Sequence, residues 1–286
     1  MSDTQKNNKA RPEPTYGEIV WGQFRKNWIG FGALLFFLLL FVIAMAAPLL
    51  ASDQPFSITV LGNSPANVDI AAGTYHPWID GLLFNKYVYG RGVDIFFNLL
   101  LVLVPIITVA FLIFRKTALK GVAGRVRGRR RKRFVYASVL IIFACFVVLL
   151  WKQPQVDIPK WKNLLESQQA QCLAHQGGDF ASGDATPEQI EEVCPISPSC
   201  DADDVWLCEA SFPLINYSFA ETSYNANRPP SPENLLGTDS SGRDQFTRMI
   251  YGTRISLTIG VIAVGIYLFI GIVLGSLAGF FGRKWD

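Results

Sequence analysis

The chain has 286 residues, half of them hydrophobic, and only 17% are charged, against about 25% in an ordinary soluble domain. That balance excludes an ordinary soluble enzyme. The formal net charge of +3 does not point to nucleic acid as a partner either, because the basic residues sit beside apolar blocks, where they read as topology signals.

A hydrocarbon core about 30 Å thick needs about 20 mostly apolar residues in a helix. Four stretches meet that test, so the fold class expected is an all-α polytopic membrane protein: four predicted transmembrane helices plus a small loop-rich, disulfide-bonded outer segment. Residues 1–27 form a polar N-terminal segment that closes on Phe24-Arg25-Lys26-Asn27. No small-residue cleavage site of the signal-peptide kind follows, so the first apolar run, residues 28–51, is expected to stay as a span ending near Pro48. Residues 52–94 are an outer loop whose Tyr75, Trp78, Tyr87 and Tyr89 are expected in the interfacial aromatic belt. The second span is placed at residues 95–114, with a kink at Pro105.

Residues 115–133 carry Arg115, Lys116, Lys120, Arg125, Arg127, Arg129, Arg130, Arg131, Lys132 and Arg133 and no acid. Short loops this basic stay in the cytoplasm, and moving each charge outward against the potential would cost about 2.3 kcal/mol per 100 mV. Topology is the first reading of this loop; the functional reading is a site for anionic lipid headgroups or for an acidic partner surface. Parity then makes the N-terminus cytoplasmic and places residues 52–94 and 152–254 outside. Arg243, Arg248 and Arg254 count against this assignment but are outnumbered by the inner loop.

The third span is placed at residues 134–151 and holds Cys145 as a small hydrophobe. Residues 152–234 contain the other four cysteines, Cys172, Cys194, Cys200 and Cys208. An even number outside reads as two disulfides, with three possible connectivities left open. A C-x-x-H spacing at Cys172 and His175 lacks a matching second pair, so no metal site is expected. Residues 186–193, with Thr186 as cap and Pro187 in the first turn, read as one short helix.

Residues 235–254 are the most specific stretch. Gly237, Thr238, Asp239, Gly242, Arg243, Asp244, Arg248, Gly252, Arg254 and Ser256 mark the pattern LGTD-x-x-GRD-x-x-x-R-x-x-x-G-x-R-x-S. Thr238 or Asp239 is expected to cap a helix, Asp244 and Arg248 to pair at i, i+4, and the chain to lie in the interface and turn at Gly252 into the last span. Gly237-x-x-x-x-Gly242 is not a nucleotide loop, since Arg243-Asp244 stands where Lys-Ser/Thr is required. The fourth span is placed at residues 255–281, where Gly271, Gly275 and Gly279 repeat on one face and are expected in helix packing. Residues 282–286 return to the cytoplasm with Arg283-Lys284. No catalytic constellation is visible, His76 and His175 are isolated, and the substrate-binding residues are unknown.

Residues 235–286 resemble the opening of the transmembrane domain in oligopeptide/dipeptide ABC importer permeases of the OppC/DppC type. Phe24-Arg25-Lys26-Asn27 before a span, and Ala47-Pro48-Leu49 within it, resemble that family's first helix. The resemblance implies a permease component of an ATP-driven importer for peptides or related small solutes in a bacterial inner membrane. It implies as partners a second permease subunit, two cytoplasmic ATPase subunits that hold ATP and Mg, and an outer solute-binding protein, with the lipid bilayer around them and no cofactor in this chain. Two features depart from the family: residues 52–234 intervene with two extra spans, and the chain stops after its fourth span, before any coupling loop. It therefore looks like the N-terminal part of a permease. The rival reading is a membrane-anchored interaction or sensor protein with a disulfide-stapled outer domain.

Overall fold

A computed structural model describes residues 16–61, 70–118, 124–152, 159–175, 195, 198, 206–222, 226–232 and 234–281. The chain divides into two units, residues 1–42 and 43–286. In the first unit, α1 (Tyr16–Lys26) ends on Arg25 and Lys26, cations placed where a helix carries its partial negative charge. The Asn27 side chain then accepts the Gly30 N–H at 3.1 Å, which starts α2 (Trp28–Leu50).

The second unit begins within α2, whose last turns bury Ala44, Ala47 and Pro48. Pro48 is tolerated inside the helix because the Ala44 carbonyl, left without the N–H that proline lacks, accepts the Arg254 Nε–H at 2.8 Å, while the Pro48 carbonyl in the last turn accepts the Trp78 indole N–H at 2.7 Å. A three-stranded antiparallel sheet follows, in the order β2–β1–β3, from β1 (Ser57–Val60), β2 (Gly73–Tyr75) and β3 (Leu207–Ser211). Ile58 faces Tyr75 across one ladder, and Ser57 faces Ser211 across the other. The second ladder slips by one residue before Thr59↔Cys208, and Glu209, at φ 50°, lies within that bulge.

Between β2 and the spans lie α3 (Pro77–Phe84) and α4 (Lys86–Tyr89), with the Asn85 side chain capping the second at Val88 N–H. Two long helices then pack as an antiparallel hairpin, α5 (Gly92–Thr117) and α6 (Gly124–Trp151). Phe96 meets Phe146 at one end, and Phe111 and Phe114 meet Phe134 at the other. After α7 (Trp161–His175) and β3, the chain closes with α8 (Gln245–Phe281), one unbroken helix of 37 residues. Four of these helices, α2, α5, α6 and α8, are long and apolar enough to cross a membrane. The molecule is a polytopic membrane protein.

Several expectations need correction. The described part of 152–234 is not simply loop: α7 and β3, with β1 and β2, build one small α+β body, cored by Ile58, Val60, Trp161, Leu165, Trp206 and Leu207. The helix α7 supplies Trp161 and Leu165 to that core and also covers the sheet edge. Gln168 Nε2 donates to the Leu207 carbonyl at 3.0 Å, while Gln168 Oε1 accepts the Leu207 and Trp206 N–H groups at 2.9 and 3.2 Å. One amide side chain thus replaces a neighbouring strand on β3.

Three of the aromatics assigned to an interfacial belt pack against protein instead, and the side chain of Tyr87 lies outside what the structure describes. Tyr75 lies against Trp161, Trp78 against Phe56, and Tyr89 is buried. The basic stretch 115–133 is mostly helix, because α5 runs to Thr117 and α6 starts at Gly124, ten residues before the expected third span. The helix expected at 186–193 lies outside the described residues.

Candidate functional site

The signature segment forms a tight double turn leading into α8. Gly237, at φ +72°, sits so close to the chain before it that a Cβ would come within 2.3 Å of the Arg228 carbonyl oxygen. Pro229 and Pro230 hold that preceding chain extended. Thr238 pairs with it twice: its N–H donates to the Arg228 carbonyl at 3.1 Å, and its hydroxyl accepts the Arg228 N–H at 2.9 Å. Gly242 also takes φ +72°, and only glycine does so without strain.

Asp239 organises the second turn. Its Oδ1 accepts the N–H groups of Ser241 at 2.8 Å and Arg243 at 2.9 Å, and its Oδ2 is ion-paired with Arg248. These donors, the Arg243 N–H first, hold the Asp239 carboxyl below its ordinary range. Two expectations fail here. The helix cap is Asp244, whose Oδ2 accepts the Thr247 N–H at 2.7 Å, and not Thr238 or Asp239, because their side chains are engaged upstream or within the turn. Arg248 pairs with Asp239 rather than Asp244, since capping turns the Asp244 carboxylate toward the helix end. The turn expected at Gly252 is also absent; the helix continues through it.

Two turns into α8 lies Arg254, fully buried. Its Nε donates to the Ala44 carbonyl of α2 at 2.8 Å, one terminal nitrogen to Asp94 Oδ1 at 3.2 Å, and the other to Asn98 Oδ1 at 2.8 Å, both on α5. The Phe97 and Tyr251 rings flank the guanidinium at 5.5 and 5.0 Å. One planar, permanently charged group thereby ties α8 to α5 and to the last turns of α2. Asn98 is fixed in turn, since its Nδ2 donates to the Leu82 carbonyl at 2.7 Å.

A second tie runs parallel. The Tyr251 hydroxyl donates to the Ala51 carbonyl at 2.9 Å, so Tyr89, 3.0 Å away, donates its own proton to Tyr251. Burial pushes the Tyr89 phenol up to about 12, and it stays protonated at physiological pH. Arg254, which had counted as an unfavourable outer charge, is therefore neutralised by Asp94 inside the fold. Asp94, Asn98 and Tyr89 were missed as site residues. A carboxylate and an amide at i, i+4 in the first turns of an apolar helix were the available signal.

The other expected residues are placed differently. Ser256 is exposed, and a Cβ on Gly271, Gly275 or Gly279 would meet nothing within 4 Å. Among the described residues, the glycine stripe packs against no other helix. Cys172 and Cys208 are disulfide-bonded and Cys145 is a free thiol; Cys194 and Cys200 lie outside the described residues. Among the described residues no three His, Cys, Asp or Glu side chains converge as a metal site.

The family model for the N-terminal TM domain of oligopeptide transport permease C matches residues 15–68. The dipeptide transport system permease protein DppC of Alkalihalophilus pseudofirmus is 48% identical over 74 residues, 26% of this chain and 24% of that protein. The oligopeptide transport system permease protein OppC of Bacillus subtilis is 45% identical over 71 residues, 24% of this chain and 23% of that protein. The inner membrane ABC transporter permease protein YejE of Escherichia coli is 31% identical over 103 residues, 32% of this chain and 30% of that protein. The matched part of the chain thus spans 23% to 30% of the length of these curated relatives. No solved structure matches it significantly. Over the segments matched, the chain is similar to permease proteins of oligopeptide and dipeptide transport systems.

Proposed function

We propose that this chain acts as a membrane-spanning permease component of an ATP-driven importer for peptides or related small solutes in a bacterial inner membrane, with its N-terminus in the cytoplasm. The observation that carries the reading is the match of residues 15–68 to the permease N-terminal domain, beside relatives named as peptide permeases. The partners proposed are a second permease subunit, two cytoplasmic ATPase subunits that hold ATP and Mg, and an outer solute-binding protein. The long α8 suits such a partnership, because its large side chains Leu268, Phe269 and Ile272 are bare within this chain and its glycine stripe is open to another helix. The outer body is proposed to be stapled by two disulfides that include Cys194 and Cys200 as well as Cys172 and Cys208.

Co-expression with a second peptide permease, its ATPases and its binding protein tests this reading. Co-purification of the tagged chain with the second permease, and peptide-dependent ATP hydrolysis in the complex, are expected. Recovery of the chain alone, fully inserted in the membrane, would instead favour an outer interaction module, a reading supported by the separate core around Trp161 and Trp206.

A further inference from the structure

We propose that the basic end of the α5–α6 hairpin is a binding site for the headgroup of an anionic phospholipid, independent of any importing activity. The hairpin leaves a shallow groove of about 410 Å³ there, lined by Phe114, Ala118, Arg130, Arg133, Phe134 and Ala137. Its floor is apolar, since Phe114 and Phe134 stack with centroids 4.9 Å apart. Its rim is cationic. Arg130 lends one terminal nitrogen to the Ala118 carbonyl at 3.0 Å, which anchors the guanidinium over the groove and leaves its remaining donors for an anion.

The depth is that of a headgroup. Arg133 immediately precedes the apolar run of α6, and Arg115 immediately follows that of α5, so both ends of the groove lie where hydrocarbon gives way to water. Charge complementarity selects the occupant: residues 115–133 contain ten cations and no carboxylate of their own. A phosphodiester accepts several hydrogen bonds from paired guanidinium groups, and its acyl chains suit a phenylalanine floor, whereas an acidic protein would have to enter the membrane interface to reach it. Lipid sites between helices at a basic membrane face have this composition.

The test uses the full chain, purified in mild detergent and stripped of lipid, with phosphatidylglycerol and phosphatidylcholine of the same chain length as probes. Retained lipid is read by native mass spectrometry and the thermal midpoint is followed in parallel. Phosphatidylglycerol should be retained in preference to phosphatidylcholine and raise the midpoint. The pair R130Q/R133Q should weaken that retention about 30-fold, from the worth of two cations at a charged lipid surface. R131Q/K132Q removes the same charge from positions 100° and 200° around α6 from Arg130 and should keep most of the preference.

Equal losses in the two pairs would show bulk attraction rather than a site and overturn the proposal. Displacement of the lipid by millimolar inorganic phosphate would assign the groove to a free anion and overturn it too. Should R130Q/R133Q not be recovered folded, R133Q against K132Q makes the same comparison, because Arg130 alone bonds the Ala118 carbonyl.

Discussion

Arg254 and Asp94, 160 residues apart in sequence, meet at 3.2 Å in the interior, and neither is reachable by water to any useful extent. An unpartnered charge at this depth is costly, so the pair acts as a registration device between α8 and α5. Removing Arg254 alone should therefore be severe: R254M is expected to cost about 3–5 kcal/mol, by stranding Asp94. The double variant R254M/D94L strands no charge and should recover much of the loss. Thermal unfolding in detergent measures both, and an R254M protein as stable as the parent would sink the idea.

The two positive-φ glycines of the signature should differ from the helical one. G242A should cost about 1–2 kcal/mol for a left-handed alanine. G237A should cost more, because its Cβ also collides with the Arg228 carbonyl at 2.3 Å. G252A lies in a helix with open space around it and should be neutral or stabilising by up to about 1 kcal/mol. Chemical denaturation of the three variants gives the order; a G237A variant milder than G242A would contradict the close approach.

Two carboxylates should move stability with pH in opposite senses. Burial, and next the Glu221 charge, raise the Asp53 carboxyl, while Glu221 itself is held by Lys162 at 2.9 Å. A raised folded value means the folded state holds the proton more tightly. The cost of ionised Asp53 is full above that raised value and disappears as pH falls to the ordinary carboxylate range near about 3.9. D53N should raise stability at neutral pH and flatten the profile on the acid side. Asp239 is lowered, so its contribution is present above the ordinary range and lost only as pH falls through its lowered value. D239N should weaken the protein at neutral pH and remove only the steepest acid limb. Urea midpoints from about pH 3 to about pH 8 separate the two; parallel profiles for both variants would refute the assignment.

The glycine stripe should matter only in company. A side chain at Gly275 meets nothing within this chain, so G275L should leave the melting temperature of the isolated protein unchanged. In the complex with a second permease it should reduce co-purification, because small residues are what let helices approach closely. Unchanged recovery would mean that this face of α8 meets lipid.

Topology follows from the acid-free basic stretch. A single reporter cysteine at Ala123 should be labelled from the cytoplasmic side and one at Ala181 from the outside. Labelling of both from one side would remove the four-span arrangement.

The four spans were legible because twenty uncharged apolar residues leave few alternatives to a membrane helix, whatever the rest of the chain does. Gly237 and Gly242 were legible as turn positions because glycine spacing is local chemistry, whereas Asp239 read as a helix cap and organises the turn instead. The small sheet was not, since its strands are three to five residues long and β1 and β3 lie about 150 residues apart. No local pattern announces that such segments will pair. The role of Arg254 was hidden for the same reason. In the sequence it is one more basic residue at the end of a span, and only the convergence of Ala44, Asp94 and Asn98 around it turns a surface charge into the buried joint between three helices. Hydropathy and turn chemistry act over a few residues and are written in the chain. Burial and partnership act across space, and only the tertiary structure decided them.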